Sequence, residues 1–289
     1  MTMFHRLRIG LTAGIVVTTA VATLMGFSSP KVQAFFIQNH ETITRNALPA
    51  NQVSNNAMLQ ILVGPPPGAG AVGSDAFATD EWRHLDNSVT PVDICNRAQT
   101  AWNTFSPVLM SGSALAGSGL ANGPAARAAF GGLLHAQQDF YSHSNWVEDN
   151  IAAGDLNRLA PPIFPTCNPA DFPPDLHTGY YNIDFSSQFP LQGCPPDGPP
   201  PPFQECHLTL NKDGPGTQRG SQPVPGTNML MYDLAAQLAT TASTNLYNQL
   251  RTQVSNGNGS KAANLLFQTG GPEWVLPALA NVYQGTTGQ

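Results

Sequence analysis

The stretch Pro124–Asn150, PAARAAFGGLLHAQQDFYSHSNWVEDN, decides how the rest of the chain is read. Pro124 suits a first helical turn, and Ala, Leu and Gln are good helix formers, so the stretch predicts one continuous helix. Within it His135, Asp139 and His143 stand at i, i+4 and i+8. At about 100° per residue these three stay within roughly 80° of one another, on one face. Leu134, Ala136 and the following Trp146 make that face at least half buried, and two histidines and an aspartate in such a setting need partners. Imidazole and carboxylate are ligand types that zinc accepts, and a helix holds them rigidly enough to seat an ion. The plainer alternative is a solvated polar stripe, which the apolar neighbours argue against.

Outward from this helix, Met1–Ala34 reads as a targeting segment. Arg6 and Arg8 form a basic start, Ile9 to Phe27 carries no charge, and Val32-Gln33-Ala34 is a small-x-small cleavage triplet. The uncharged run is about long enough to cross a bilayer as an anchor, but the Ser28-Ser29-Pro30 break and the triplet favour removal. Cleavage after Ala34 would make Phe35 the first residue and His40 the sixth, leaving residues 35–289 as one domain. The protein is thus expected to be exported: secreted, periplasmic or at the cell surface. The formal charge of the whole chain is −6, and without Arg6, Arg8 and Lys31 its 18 acids face nine bases. Such an acidic chain has no electrostatic footprint for gripping a nucleic acid backbone unaided, although bound divalent cations would change that locally. The cysteines Cys95, Cys167, Cys194 and Cys206 show no CxxC pairing, and an even count in an exported protein predicts at least one disulfide of undecided connectivity.

Residues 36–48, FIQNHETITRNAL, predict a short helix entered through Asn39 as N-cap and closed before Pro49, with His40 in its first turn. There the helix dipole disfavours imidazolium and favours the neutral, metal-binding form. In SDAFATDEWRHLDNS, residues 74–88, Asp75, Asp80, His84 and Asp86 bracket Trp82, and Asp80 and His84 repeat the i, i+4 spacing. Metal sites are commonly built from facing helices that contribute two ligands each. Residues 161–225 are dense in Pro, Gly, Asp and Cys and read as a long, disulfide-restrained insertion carrying His177 and His207. Helix resumes over 227–254, and KAANLLF with PEWVLPALANVY suggests a terminal helical piece packing back. No strand alternation or internal repeat is visible, so the fold class is mainly α. Trp82, Tyr141 and Trp146 are candidates for the mouth of a site, with core packing as their commoner role.

The run GGLLHAQQDFYSHSNWVE resembles the signature of the HET-C family, named for a fungal heterokaryon-incompatibility protein, with relatives in bacteria and in animal proteins containing von Willebrand A domains. HETITRNAL, RHLDN, LHTGYY, LNKDG and LAAQLATTAST add matches in the expected order. That family is in turn similar to the all-helical zinc phospholipase C and S1/P1 nuclease group. The resemblance implies a multi-helix domain with two or three zinc ions. It implies one ion on the α-amino group and carbonyl of Phe35 and on His40, with Phe where the group usually has Trp. It implies a second on Asp80 (or Asp75), His84, His135 and Asp139, with Asp139 bridging. A third would take His143 and a later HxxxE/D pair. The late helix has no histidine, so His207, His177, Glu148 or Asp213 must substitute there, or the site is incomplete.

The implied chemistry is metal-assisted hydrolysis of a phosphodiester, in which an unligated carboxylate, Asp75 or Asp80, takes the proton of the attacking water. Three functions are therefore expected in order. The first is an exported phospholipase C-like hydrolase with a phospholipid substrate and peripheral membrane contact. The second is an S1/P1-type nuclease. The third is a non-catalytic, metal-stabilised recognition or membrane-interacting protein. The sequence points to no protein partner.

Overall fold

A computed structural model describes residues 37–65, 68–77, 80–117, 123–182 and 194–269; the expected targeting segment, Phe35 and residues 272–283 lie outside them. The described residues are mainly helical and contain isolated bridges but no strand. None of their helices is long and apolar enough to cross a membrane.

Helix α5 (Gly123–His143) is the axis of the bundle, and every residue in it except Ala125 is buried. Its first three turns are apolar or small apart from Arg127, and its later polar side chains, Gln137 excepted, are paired inward; α5 is enclosed by α2 (Asn55–Val63), α4 (Pro91–Gly117) and α8 (Met231–Asn258). Two glycines allow the close approach. A Cβ on Gly131 would overlap the Ile61 carbonyl and the Ala71 amide, and one on Gly132 would enter the Phe105 ring. The loop at 70–72 can therefore lie flat on α5, held by Gly70 N–H to Ala128 O at 2.9 Å and Ala71 N–H to Ile61 O at 2.8 Å. Arg127 is buried at the other end of this contact. It donates to Gln60 Oε1 at 2.7 Å and to the carbonyls of Leu265 and Leu266, tying α5 to α2 and to the turn that follows α9 (Ser260–Asn264).

Several expectations are corrected in detail. Helix α1 (Ile37–Ala47) begins before Asn39, whose side chain caps nothing and instead donates to the Asp213 carbonyl at 2.6 Å. The central stretch is two helices, because the chain breaks at Ser144-Asn145 before α6 (Trp146–Ala153). There the insertion supplies the hydrogen bonds that a continuing helix would have made. Asn145 N–H donates to His177 O at 3.2 Å, His177 N–H to Asn145 Oδ1 at 2.9 Å, and Gly179 N–H to His143 O at 3.1 Å. Tyr141 and Trp146 are core residues, and Trp82 packs partly buried against Phe105 and under the Arg83 guanidinium. Helices α2 and α4 had no sequence reading; α4 carries Pro107 in its interior and ends in Ser, Gly and Ala. The described residues of the insertion are irregular apart from a turn at Pro169–Asp171 and the one-turn α7 (His207–Leu210). Two disulfides restrain it: Cys95–Cys167 ties it to α4, and Cys194–Cys206 closes it just before α7.

Candidate metal centre

The i, i+4, i+8 face of α5 carries Asp139 between His135 and His143, and three further segments bring side chains to it. Asp139 Oδ1 lies 3.1 Å from His40 Nε2 on α1, while its Oδ2 lies 2.9 Å from His84 Nδ1 and 3.0 Å from His135 Nε2. Asp75, on the turn Gly73–Phe77, stands 4.0 Å from His40 Nε2 and 3.9 Å from His135 Nε2. A second cluster adjoins the first. His143 Nδ1 is 3.1 Å from Asp86 Oδ1, and His143 Nε2 is 3.1 Å from Asp213 Oδ1 and 3.2 Å from His207 Nε2. His143 Nε2 also lies 3.8 Å from Asp139 Oδ1, so that carboxylate faces both clusters.

Outer hydrogen bonds fix the direction in which the rings present their nitrogens. His40 Nδ1 donates to Gln138 Oε1 at 2.7 Å, and Gln138 is itself oriented by donating to Thr44 Oγ1 at 3.0 Å and Ser243 Oγ at 3.3 Å. His135 Nδ1 donates to Ala71 O at 2.9 Å. In both rings Nε2 is left to face the acids, which is the arrangement that outer partners impose on metal-ligating histidines. Asp86 reaches the site through backbone strain. Leu85 (φ 57°) and Asn87 (φ 58°) on either side of it are both left-handed, a conformation costing about 1–3 kcal/mol per residue outside glycine. It is held because the Asn87 side chain pairs with the Tyr181 backbone at 2.6 and 2.7 Å and Leu85 O accepts from Thr178 Oγ1 at 2.8 Å.

The four acids and five histidines are all buried or nearly so, and among the described residues no lysine or arginine hydrogen-bonds to any of the four carboxylates. Lys212, next to Asp213, donates instead to Glu148, Ser144 O and Leu210 O. Buried carboxylates without cationic partners are costly, so the counter-charge falls to imidazolium or to a bound cation. Burial alone would raise Asp139, yet His135, His143 and His40 outweigh it and hold the carboxyl well below its ordinary range. Burial lifts Asp75 well above that range, only partly offset by His40. His135 is lowered by burial to about 4. For His143 burial is outweighed by Asp139, Asp86 and Asp213, which hold it well above its ordinary value.

The residues fit a cation on two grounds. Both Asp75 oxygens are buried with no hydrogen-bond donor, and Asp75 sits near 4 Å from two imidazole nitrogens. Atoms each about 2 Å from one zinc stand up to about 4 Å apart, the spacing of groups gathered about an ion, as ligand or as neighbour to a bound water, rather than bonded to each other. Three donor sets could each hold a metal ion: His40, His135 and Asp139; Asp75, His84 and His135; and Asp86, His143 and His207.

Of the residues expected from the sequence, His40, Asp75, His84, His135, Asp139, His143 and His207 therefore come together, while Phe35 lies outside the described residues. Asp80 does not join them. It ends just before α3 (Glu81–His84), partly exposed, with Oδ2 taking the Arg83 Nε–H at 2.8 Å. The i, i+4 spacing misled there because α3 is a single turn, and the inward carboxylates come instead from the turn before it and the strained loop after it. His177 also stays apart, its Nδ1 donating to Asp175 O at 2.8 Å. Asp86 was not assigned as a ligand from the sequence, and Asp213 only as a possible substitute; no periodicity marks either.

Two consequences can be measured. Cys206 immediately precedes His207, so opening Cys194–Cys206 by the paired change to alanine should weaken cation binding at the Asp86–His143–His207 set by roughly tenfold and spare the His40 set. Equal affinities at both sets in the wild type and the variant, read by zinc titration, would contradict this. Separately, because Asp139, Asp86 and Asp213 hold His143 well above its ordinary value in the cation-free protein, its proton competes with a cation bound there. Affinity should then rise by up to about tenfold per pH unit and level off once the pH passes the raised value. Calorimetry in buffers of different ionisation heat should report about one proton released, and a pH-independent affinity over about pH 6 to 8 would refute the coupling.

Compared with known proteins, the chain matches the VWA7 N-terminal domain family over residues 110–161, a span that holds His135, Asp139 and His143. No curated protein and no solved structure matches it.

Proposed function

We propose that this is an exported zinc-dependent phosphodiester hydrolase of the phospholipase C kind, within a HET-C-like family whose helical fold is shared with the S1/P1 nucleases. The observation that carries the reading is Asp139, one buried carboxylate facing two adjoining His/Asp clusters. The match to a VWA7 N-terminal domain falls on that helix and agrees with the resemblance to HET-C relatives that carry von Willebrand A domains. Two disulfides suit an oxidising, extracellular setting, in keeping with the expected targeting segment.

In this reading His40, His135 and Asp139 hold one ion, His143, His207 and Asp86 another, and Asp213 braces His143. Such ions supply Lewis acidity toward a phosphoryl oxygen and acidify water to near neutrality. Asp75, raised by burial well above the ordinary carboxylate range and standing beside the His40 set without belonging to it in this reading, would accept the proton of the attacking water. The acidic balance of the chain favours a lipid head group over a polynucleotide. A non-catalytic, metal-stabilised protein is the second reading, and the complete burial of the donor sets favours it, since closed sites are structural and catalytic sites keep a position for water.

Hydrolysis of bis(p-nitrophenyl) phosphate, phosphatidylcholine and single-stranded DNA, measured before and after chelation and zinc return, separates these readings. Chelator-sensitive release of the phospholipid head group is expected. Zinc binding without turnover of any substrate would overturn the enzyme reading and leave the structural one.

A further inference from the structure

On the face of α5 turned away from Asp139, Gln137 and Tyr141 line a pocket of about 80 Å³ closed by Pro161, Phe164 and the α8 residues Asn245 and Leu246. Two residues along a helix are about 200° apart, so this pocket and the metal centre lie on opposite sides of α5. None of its lining residues is charged. Gln137 is more than nine-tenths buried, and among the described residues its carboxamide makes no hydrogen bond. The Tyr141 hydroxyl accepts the Ala160 N–H at 3.1 Å, which leaves its own proton without an acceptor. Burial raises that phenol above its ordinary value, so it remains a donor. Asn245 adds a second uncommitted carboxamide at the rim.

We infer that this pocket binds the terminal acetamido group of an N-acetylated amino sugar. The Gln137 carboxamide opens into the pocket with no protein partner among the described residues, and a secondary amide answers it from both sides. Its N–H donates to Gln137 Oε1, and its C=O accepts from the Tyr141 hydroxyl or the Gln137 or Asn245 NH₂. Its methyl lies against Phe164, Pro161 and Leu246. The absence of charge selects against ions, and a volume of that size holds roughly five or six water-sized groups. That accommodates the four heavy atoms of an acetamido group at the end of a ligand, and is too small for a chain passing through. The site is independent of the hydrolase reading and would place the enzyme, or a non-catalytic protein, on glycan-bearing surfaces.

The test follows the side-chain NH₂ resonances of Gln137 and Asn245 in the full exported chain during titration with N-acetylglucosamine, glucosamine and N-acetylglycine methylamide. Saturable shifts with N-acetylglucosamine, at least about tenfold weaker with glucosamine, lost at the Asn245 resonance in Gln137→Leu and weakened at the Gln137 resonance in Asn245→Ala, are expected. Asn245 is solvent-exposed, so its variant guards against a folding defect in the other. Equal response to both sugars, no saturable response to either, or tighter binding of the peptide amide than of the acetylated sugar would each overturn the proposal.

Discussion

Asp139→Asn should strip the cation from the His40–His135–Asp139 set, weaken the adjoining one that its Oδ1 faces from 3.8 Å, and lower phosphodiester turnover by more than about 100-fold, beyond what the loss of an outer partner costs. The effect is large because one carboxylate serves four imidazoles. Its oxygens lie 2.9 to 3.8 Å from His40, His84, His135 and His143. Asparagine keeps the shape and one acceptor but removes the charge, so the bundle should still form while that ion leaves. Because site formation is coupled to folding, thermal stability in zinc should fall toward that of the chelated wild type. His135→Ala should do the same to the His40 set alone. Unchanged zinc stoichiometry in Asp139→Asn, with intact helical dichroism, would dismiss the shared-carboxylate account.

Gly131→Ala should destabilise the protein by about 2 kcal/mol or more, although a buried Gly→Ala change inside a helix would otherwise gain about 1 kcal/mol from propensity. The added methyl meets backbone, the Ile61 carbonyl and the Ala71 amide, and backbone cannot swing aside as a flexible side chain would. Overpacking of this kind costs about 1–3 kcal/mol or more, so the clash outweighs the propensity gain. It also reaches the site, since Ala71 O is the acceptor that orients His135 one turn further along α5. Denaturant unfolding with zinc quantification should show both losses together. A variant as stable as the wild type would mean that the α2 end and the 70–72 loop are not pressed against α5 as described.

These two substitutions show which parts of the molecule could be read directly. The His135, Asp139 and His143 face was legible because α-helical periodicity alone brings the three together, and His40 and His84 were legible as imidazoles near helical segments. The Gly131-Gly132 pair was visible but silent, because its meaning lies in the loop that folds onto it. Asp80 was favoured over Asp75 by a spacing rule that holds only within a continuous helix, and α3 is too short for it. Asp86 depends on two left-handed residues, Leu85 and Asn87, neither of them glycine, and Asp213 on a segment drawn in by Lys212 and Ser142. Such placements arise from tertiary hydrogen bonds, which no local pattern announces. The break at Ser144 has the same origin, since the insertion offered His143 and Asn145 partners that competed with the helix.

The most direct measurement is elemental analysis of the purified protein after zinc loading and exhaustive dialysis. Two or three tightly held zinc ions per chain are predicted, removable by chelator with loss of thermal stability. A chain that retains no metal, and whose stability is indifferent to zinc and chelator alike, would contradict the account at its centre. The nine buried acids and histidines, Asp139 among them, would then be a hydrogen-bonded core whose counter-charge is imidazolium.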